Sequence, residues 1–435
     1  MKAIHHWSTL CLLVFVCGLS AETTDIQFTP NAYTALEFGQ IVKGMNDKVF
    51  EGTIDHQWKQ RLLAGAGFNA RLTEQLSLVL AGEMALWHPF PRDPNFPSSH
   101  EKTFSFYLHQ AEGRFLVGDE DAPVLEAGWG YFPCKYNPDV KNLGEYLFRS
   151  GTYPQYLLTE ADFPFARLLG LRVGNTLFPN SPVRLDHELL ITSSVDIVPL
   201  YDVSFSYLQH WNLFETAEVG WGVSLADFLS VDESLTTPEE RRNAYLTDGD
   251  TAYYTFRGIK LMGRLAFDPK ALFDPDGFPG IFGEQDLRFY TEAAVLGVKD
   301  YPVSMDSTFD YNDITERIPV VVGFNLPGFR IIDVLSIEAE RFGSEHPNDM
   351  YEVYMPNLPI PGITRKDSVR DFSEDDLKWS VYGKKMFGEH VSLTALFAND
   401  HIRTVAHSIK THQDFEETLR RKNHWHYMIK VGIAF

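Results

Sequence analysis

The chain has 435 residues, a formal net charge of −21, 44% apolar residues and 14% aromatic residues. A chain with this much negative charge is not expected to bind nucleic acid. Its apolar content is ordinary for a folded protein. Length alone suggests two or three soluble domains, although a large β-barrel of this length forms a single domain.

The N-terminal residues predict an export signal. Lys2 precedes an apolar run over 10–16, and small residues then offer a cleavage point after Ser20 or Ala21. The prediction is therefore a signal peptide at 1–20 and a mature domain at 21–435. The mature domain keeps only Cys134 and can form no internal disulfide, so an exported fold needs a large core or another means of closure.

The mature chain alternates apolar and polar residues with the period of a β-strand. A first strand surrounds Leu36 and Phe38, and a hairpin follows with its turn at 72–75. About sixteen strands are predicted, with a range of 14–18. After the first strand they lie near 61–71, 76–83, 102–118, 122–133, 166–174, 184–192, 202–210, 216–226, 251–267, 285–298, 317–325, 332–342, 377–386, 390–402 and 423–435.

The connections between these strands mostly alternate between short and long. Transmembrane β-barrels sort their connections in this way, with short periplasmic turns and long extracellular loops. Two connections fit less well, since 268–284 is long among the short turns and 193–201 is short among the long loops. An apolar face opposite a face with charges of both signs is also typical of a barrel in lipid.

The last strand has large apolar residues at alternate positions and ends on an aromatic residue. These residues are Tyr427, Ile429, Val431, Ile433 and Phe435. The pattern resembles the C-terminal assembly signal of bacterial outer-membrane β-barrel proteins, and the strand number is similar to that of porins. The resemblance implies an all-β fold, a single antiparallel barrel in the outer membrane of a Gram-negative cell, and recognition by the barrel assembly machinery.

The resemblance implies a porin-like channel for passive diffusion of small hydrophilic solutes, with no enzymatic activity and no cofactor. Its expected partners are outer-membrane lipid, lipopolysaccharide and a possible homotrimer. Two alternatives stay open: a non-transporting surface or adhesion barrel with a plugged lumen, and a secreted soluble β-rich carbohydrate-binding protein. No nucleophile elbow, phosphate-binding glycine loop or HExxH motif is found in the sequence.

Strand parity selects charged residues for the lumen, because alternate side chains of a barrel strand point inward. The predicted pore-lining residues are Arg61, Arg71, Arg172, Arg184, Asp186, Glu188, Arg264, Arg288, Glu292, Glu338, Glu340, Lys378 and Lys384.

Loop 134–165 follows the fifth strand and is too aromatic for a freely solvated loop. One hypothesis places it inside the barrel, where it narrows the lumen. The other packs it over the outer rim or against a neighbouring subunit. In the first hypothesis, the candidates that meet the solute are Lys135, Tyr136, Glu145, Tyr146, Arg149 and Tyr153.

Three further features receive structural interpretations. The acidic loops 227–250 and 343–376 are interpreted as solvated loops, although an acidic mouth would favour cations. His424 and His426 share one strand face and are interpreted as lumen or rim residues rather than metal ligands. The segment 274–277 lacks the later ligands of a calcium loop and is interpreted as a turn. No metal site is predicted.

Overall fold

The computed structural model describes most of the predicted strands and part of the loops. The described residues are 26–46, 52–53, 55–88, 103–119, 122–149, 166–193, 203–229, 244–247, 250–253, 258–272, 281–298, 301–302, 310–311, 314–342, 376–402, 419 and 421–435. The predicted signal peptide lies outside them, as do 274–277, Tyr153 and nearly all of loop 343–376.

Sixteen long strands form one closed antiparallel barrel, which confirms the predicted fold class and strand number. They are β1 (Gln27–Lys43), β2 (Gln57–Arg71), β3 (Leu76–His88), β4 (Thr103–Asp119), β5 (Ala122–Cys134), β6 (Ala166–Leu177), β7 (Val183–Ser193), β8 (Val203–Leu213), β9 (Ala217–Leu229), β10 (Gly258–Phe267), β11 (Phe289–Val295), β12 (Val320–Asn325), β13 (Val334–Arg341), β14 (Leu377–Phe387), β15 (Val391–Asn399) and β16 (Trp425–Ala434).

The barrel closes between its first and last strands. In the β1–β16 pair, Phe38 stands opposite Ile429, and the register continues past the strand end. There the backbone N–H of Phe435 donates to the Ala32 carbonyl at 2.8 Å, and the Ala32 N–H donates to Phe435 at 3.1 Å. Closure leaves no strand of the barrel with an unpaired edge, which is the condition for a sheet surrounded by lipid.

The connections sort onto the two ends of the barrel as the sequence predicts. At one end, β2 and β3 are joined by 72–75 and β14 and β15 by 388–390, whereas β5 and β6 are separated at the other end by 135–165. The two connections that fit the alternation less well are also seen in the structure. The connection 268–288 is long although it lies at the short-turn end, and the connection 194–202 is short although it lies at the long-loop end.

The two faces of the wall differ in chemistry. Outward positions carry large apolar side chains with substantial exposure, for example Leu36, Phe106, Leu261 and Ile337. Inward positions on the same strands carry charged residues such as Glu37 and Glu338. The apolar face of the strands therefore points to the outside of the barrel. In a water-soluble barrel with an apolar core, the apolar face points inward.

Several strands are shorter than the sequence predicts, and β10 and β11 begin later than expected. Residues 251–253, expected at the start of β10, instead belong to a separate two-stranded sheet of 250–253 and 244–247. Strand β11 begins at Phe289 rather than 285, because the Asp286 carboxylate accepts the backbone N–H groups of Gly283, Gly328 and Phe329. Leu287 also has a positive φ of 64°, which is incompatible with a strand.

In the described parts of the chain, the helical segments are short. One helical turn, α1 (Tyr146–Arg149), lies after β5, and 3₁₀ turns lie at Pro269–Leu272 and Ile314–Arg317. Within the described residues, no helix has the length and hydrophobicity needed to cross a membrane.

Candidate functional site in the barrel lumen

The segment that follows β5 folds into the barrel and packs on the inner wall. Residues 135–149, called here the inner loop, form one apolar cluster with side chains from strands β5 to β12. Its buried members are Phe132, Tyr136, Val140, Leu143, Tyr146, Leu147, Phe148, Leu190, Leu208, Met262, Ala266, Tyr290, Ala294, Leu296, Val321 and Phe342. Residues 135–149 of loop 134–165 therefore lie inside the barrel, as the first hypothesis expects, and the narrowing of the lumen stays a prediction.

Glu338 on β13 fixes the middle of the inner loop. Its carboxylate accepts the backbone N–H groups of Asn142 and Leu143, each at 2.9 Å, and that of Lys141. The hydroxyl of Tyr290 also donates to it at 2.8 Å. Glu338 is fully buried, and these hydrogen bonds stabilise its carboxylate in place of water.

Glu292 on β11 fixes the end of the inner loop in the same way. It accepts the backbone N–H of Glu145 at 3.0 Å, the N–H of Tyr146 at 2.7 Å and the side-chain amide of Asn137 at 2.8 Å. Two carboxylates on the wall thus accept five backbone N–H groups of the inner loop.

Glu145 closes the inner loop on itself. Its carboxylate accepts the backbone N–H groups of Tyr136, at 3.1 Å, and Asn137. Burial, together with the nearby charge of Glu292, raises the pKa of Glu145 to about 8. Lys141 is also affected, since burial and the neighbouring charge of Lys135 lower its pKa to about 8.

Further polar contacts tie the inner loop to β13 and to the residues after β15. The hydroxyl of Tyr146 donates to Glu340 at 2.7 Å, and the side-chain amide of Asn142 donates to Asp400 at 2.8 Å. Asp400 also lies 3.1 Å from Nε2 of His426. Burial raises the pKa of Asp400, but His426 and Asn142 outweigh that effect and hold the pKa below its ordinary value.

A cluster of alternating charges lies where the inner loop meets β9, β10 and β11. Asp139 of the inner loop contacts Arg264 at 3.3 Å and Arg288 at 2.5 Å. Both arginines also contact Glu218 on β9, at 3.2 Å and 2.6 Å, and His210 contacts the same carboxylate at 3.0 Å. Asp139 and Glu218 together neutralise the two arginines, so the charge of this cluster depends on both carboxylates.

A second group of charges lies on the wall of β4 to β7. Arg172 contacts Glu112 at 2.9 Å, Glu126 at 2.7 Å and Glu188 at 3.9 Å. Arg114 contacts Glu112 at 2.9 Å from the neighbouring position on the same face of β4. With three carboxylates around Arg172, this side of the lumen is acidic.

The structure divides the predicted pore-lining residues into three groups. Those that hold or border the inner loop are Arg264, Arg288, Glu292, Glu338 and Glu340. Those that lie on the wall elsewhere are Arg61, Arg172, Arg184, Asp186, Glu188 and Lys378. Arg61 is paired with Glu37 at 2.6 Å, and Arg184 with Asp186 at 3.0 Å. The last two, Arg71 and Lys384, lie near the short-turn end of β2 and β14.

Three of the six candidates on loop 134–165 are buried rather than facing an open lumen. Tyr136, Glu145 and Tyr146 are buried against the wall, because their polar atoms bind wall groups or the loop's own backbone. The Lys135 ammonium donates to the Val140 carbonyl at 2.7 Å. Arg149 is the last residue of α1, and Tyr153 lies beyond the described part of the chain.

The two C-terminal histidines are buried rather than placed at an open rim. His424 and His426 are each 3% exposed. Burial and the charge of Arg421 lower the pKa of His424 to about 4, so this imidazole is neutral at pH 7.

The residues of the predicted assembly pattern form the outward face of β16. Ile429 and Val431 are exposed, Tyr427 and Ile433 are partly covered by their neighbours, and Phe435 is exposed at the strand end. A role in assembly stays a prediction.

Sequence reasoning missed several residues of the site. Glu218 lies in a predicted strand, and the parity of that strand places it inward, so the pattern was sufficient to find it. Asp139, Asn142 and Asp400 lie outside the barrel strands. No periodic pattern selects residues in irregular segments. The contacts of Asn142 with Asp400 and of Asp139 with Arg264 also join residues more than 120 positions apart in the chain.

Comparison with known proteins gives similarity in structure only. No protein-family model matches the chain, and no curated protein matches its sequence. The similar solved structures include a triple mutant of Rh. blastica porin, at 9% identity and a TM-score of 0.43, which covers 94% of this chain and 100% of that chain. Salmonella typhi OmpF in complex with daunomycin has 7% identity and a TM-score of 0.47, covering 94% and 97%. TM-scores below 0.5 support no conclusion about function.

Proposed function

We propose that this protein is an outer-membrane porin-like channel for passive diffusion of small hydrophilic solutes. The observation that carries the proposal is a closed barrel whose exposed face is apolar, whose inner face is charged, and whose inner loop is fixed within the lumen. The proposal includes export with removal of residues 1–20, assembly by the barrel assembly machinery, and contact with lipopolysaccharide.

The outward face supports placement in a membrane. Large apolar side chains are exposed on every side of the barrel, including Phe38, Phe104, Leu189, Leu265 and Phe397. Exposed apolar patches on soluble proteins rarely exceed a few hundred Å². A continuous apolar belt on a closed barrel is stable in lipid because every strand is paired and no backbone group faces the hydrocarbon unsatisfied.

The inner face supports transport without a chemical step. A sixteen-stranded barrel is too wide for its wall side chains alone to fill it, and the inner loop occupies part of that width. Solutes are then selected by the remaining cross-section and by the charges around it. The cluster of Asp139, Glu218, Arg264 and Arg288 borders the inner loop and is the part of the wall best placed to act on charged solutes.

A barrel with a filled lumen is the second candidate, in which the protein acts through its surface loops. The observation that favours it is the burial of inward-facing charged side chains. Arg61, Lys260 and Lys378 are at most 2% exposed, and the Lys378 ammonium donates to the Leu419 carbonyl at 2.5 Å.

Solute entry into liposomes separates the two candidates. The purified protein is reconstituted into lipid vesicles, which are then placed in isotonic solutions of neutral sugars of increasing size. A porin-like channel gives swelling that is fast for the smallest sugar and falls steeply with size. Swelling no faster than in protein-free vesicles, from protein shown to be folded by its heat-modifiable mobility on a gel, would reject the channel and favour the filled barrel.

A further inference from the structure

Charged side chains of alternating sign cover the inner wall from β4 to β11, and they are accessible from the lumen. The accessible carboxylates are those of Glu126, Asp186, Glu188 and Glu218. The accessible guanidinium groups are those of Arg114, Arg172, Arg184 and Arg288. These residues are called here the charge belt, and their side chains are 18–39% exposed.

Each member of the charge belt lies beside a charge of the opposite sign. Arg184 contacts Asp186 at 3.0 Å, and Arg288 contacts Glu218 at 2.6 Å. The two signs are equal in number within the belt, so the belt as a whole is neutral although each point of it is strongly polar. A solute that moves along this part of the wall therefore meets positive and negative charge in close succession.

The accessibility of the charge belt distinguishes it from other ion pairs of the wall. Arg61 and Glu37 form a contact of 2.6 Å, but their side chains are at most 1% exposed. A buried pair cannot lose one partner without a large cost. Ion pairs that stay in contact with water contribute little to stability. The members of the charge belt can therefore exchange their partners for charged groups of a solute.

This exchange depends on the charges that the solute carries. A solute with one charge pairs with one member of the belt and displaces the counter-charge, which is left without a partner. A neutral solute offers hydrogen bonds that are weaker than those between charged groups. A zwitterion carries both signs on neighbouring atoms, so it can pair with an arginine and with the adjacent carboxylate at the same time.

We propose that the charge belt favours zwitterionic solutes, such as α-amino acids and short peptides, over neutral or singly charged solutes of the same size. The carboxylate of such a solute fits the two parallel N–H groups of a guanidinium, and its ammonium group donates to the neighbouring carboxylate. Arg172 offers this arrangement on two sides, since it lies 2.7 Å from Glu126 and 3.9 Å from Glu188. The inference rests on the channel proposed above and adds the class of solute.

Uptake of three solutes of nearly equal size tests this preference. They are alanine, its neutral isomer lactamide, and the lactate anion. The initial uptake of each labelled solute into lipid vesicles that contain the protein is measured, and the rate into protein-free vesicles is subtracted. Alanine is expected to enter roughly threefold faster than the other two, which is the scale of one exposed ion pair.

The outcomes separate the preference from the channel itself. Equal rates for alanine and lactamide, or a faster rate for lactate than for alanine, would overturn the preference and leave the channel in place. Uptake of none of the three solutes would reject the channel, and the preference with it.

Two variants with unchanged net charge test whether the charge belt is responsible. Arg184→Gln with Asp186→Asn removes one pair of the belt. Lys385→Gln with Asp333→Asn is the matched control, because this pair has the same 3.0 Å contact and similar exposure but lies outside the lumen. The first variant is expected to lower the ratio of alanine to lactamide uptake roughly twofold, and the control to leave it unchanged. Equal ratios in the two variants, with both shown to be folded by heat-modifiable mobility, would overturn the assignment to the belt.

Discussion

Glu338 on β13 accepts the backbone N–H of Asn142 at 2.9 Å, although 196 positions separate the two residues in the chain. This contact fixes the middle of the inner loop to the opposite part of the wall. The same carboxylate also accepts the N–H of Leu143. The path of the inner loop therefore depends on charged residues of distant strands as well as on its own apolar side chains.

Replacing Glu338 by Gln is expected to loosen the inner loop. The amide has one oxygen instead of two. Its NH₂ group therefore points donors either at the N–H of Lys141, which donates to Oε1, or at those of Asn142 and Leu143, which donate to Oε2. Leaving a buried donor unsatisfied costs about 1–3 kcal/mol. Hydrogen exchange at 141–143 is expected to accelerate by tenfold or more. The control is Asp186→Asn, an inward carboxylate that contacts Arg184 rather than the inner loop. Unchanged exchange in Glu338→Gln would contradict the anchoring role.

Docking of the inner loop is expected to weaken as pH rises. The Glu145 pKa is 4.5 in its ordinary state and is raised to about 8 by burial and by Glu292. The folded state therefore binds the proton more tightly. The stabilisation of the docked inner loop by protonated Glu145 is fully present below pH 4.5 and is lost as pH rises to about 8. Exchange at residues 136–147, corrected for its intrinsic pH dependence, is expected to be roughly threefold or more faster at pH 8 than at pH 5.

Glu145→Gln serves as the control for this pH dependence. The amide oxygen still accepts a hydrogen bond from the backbone of Tyr136 or Asn137, but the side chain no longer titrates. The variant is expected to lose most of the difference in exchange between pH 5 and pH 8. An equal pH dependence in the variant would show that another group, such as Lys141, is responsible.

The charge cluster at the inner loop is expected to set ion selectivity. Glu218→Gln removes one of the two carboxylates that neutralise Arg264 and Arg288, so the local charge becomes more positive. The reversal potential in a salt gradient is expected to shift toward anions. Arg288→Gln makes the local charge more negative and is expected to shift the reversal potential toward cations. Shifts in the same direction, or none, would place the permeation path away from this cluster.

Gly130 on β5 is expected to tolerate no side chain. Its φ is +118°, and an added Cβ would lie 2.2 Å from the carbonyl oxygen of Ala111 on the neighbouring strand. Gly130→Ala is expected to lower the free energy of unfolding by about 1–3 kcal/mol, measured by urea denaturation in detergent or lipid. Gly383→Ala is the matched control, because the nearest atom to its added Cβ is 4.0 Å away. Equal effects of the two variants would contradict the proposed strain.

The barrel could be predicted from the sequence because its wall is periodic. Alternation places Glu37 inward and Leu36 outward, and the same rule repeats in every strand, so errors at single boundaries do not change the fold. Errors arise where a local interaction competes with the pattern. Residues 250–253 alternate like the start of a strand, yet they pair with 244–247.

The site could be predicted only in part, because position along a strand does not reveal what a side chain contacts. Parity correctly places Glu292 and Glu338 inside the barrel. It does not indicate that they bind the backbone of 141–146, because those contacts depend on how an irregular segment folds. The aromatic content of the inner loop predicts burial, and Tyr136 and Tyr146 are buried, but against the wall rather than beside the solute.

Single-channel conductance in planar bilayers tests whether the inner loop narrows an open lumen. The wild-type protein is compared with the double variant Glu292→Ala and Glu338→Ala, which removes both carboxylate anchors. We expect steady, resolved conductance steps for the wild type and larger or noisier steps for the variant. Identical steps in both would contradict a narrowing role for the inner loop, and no steps from folded wild-type protein would contradict the channel.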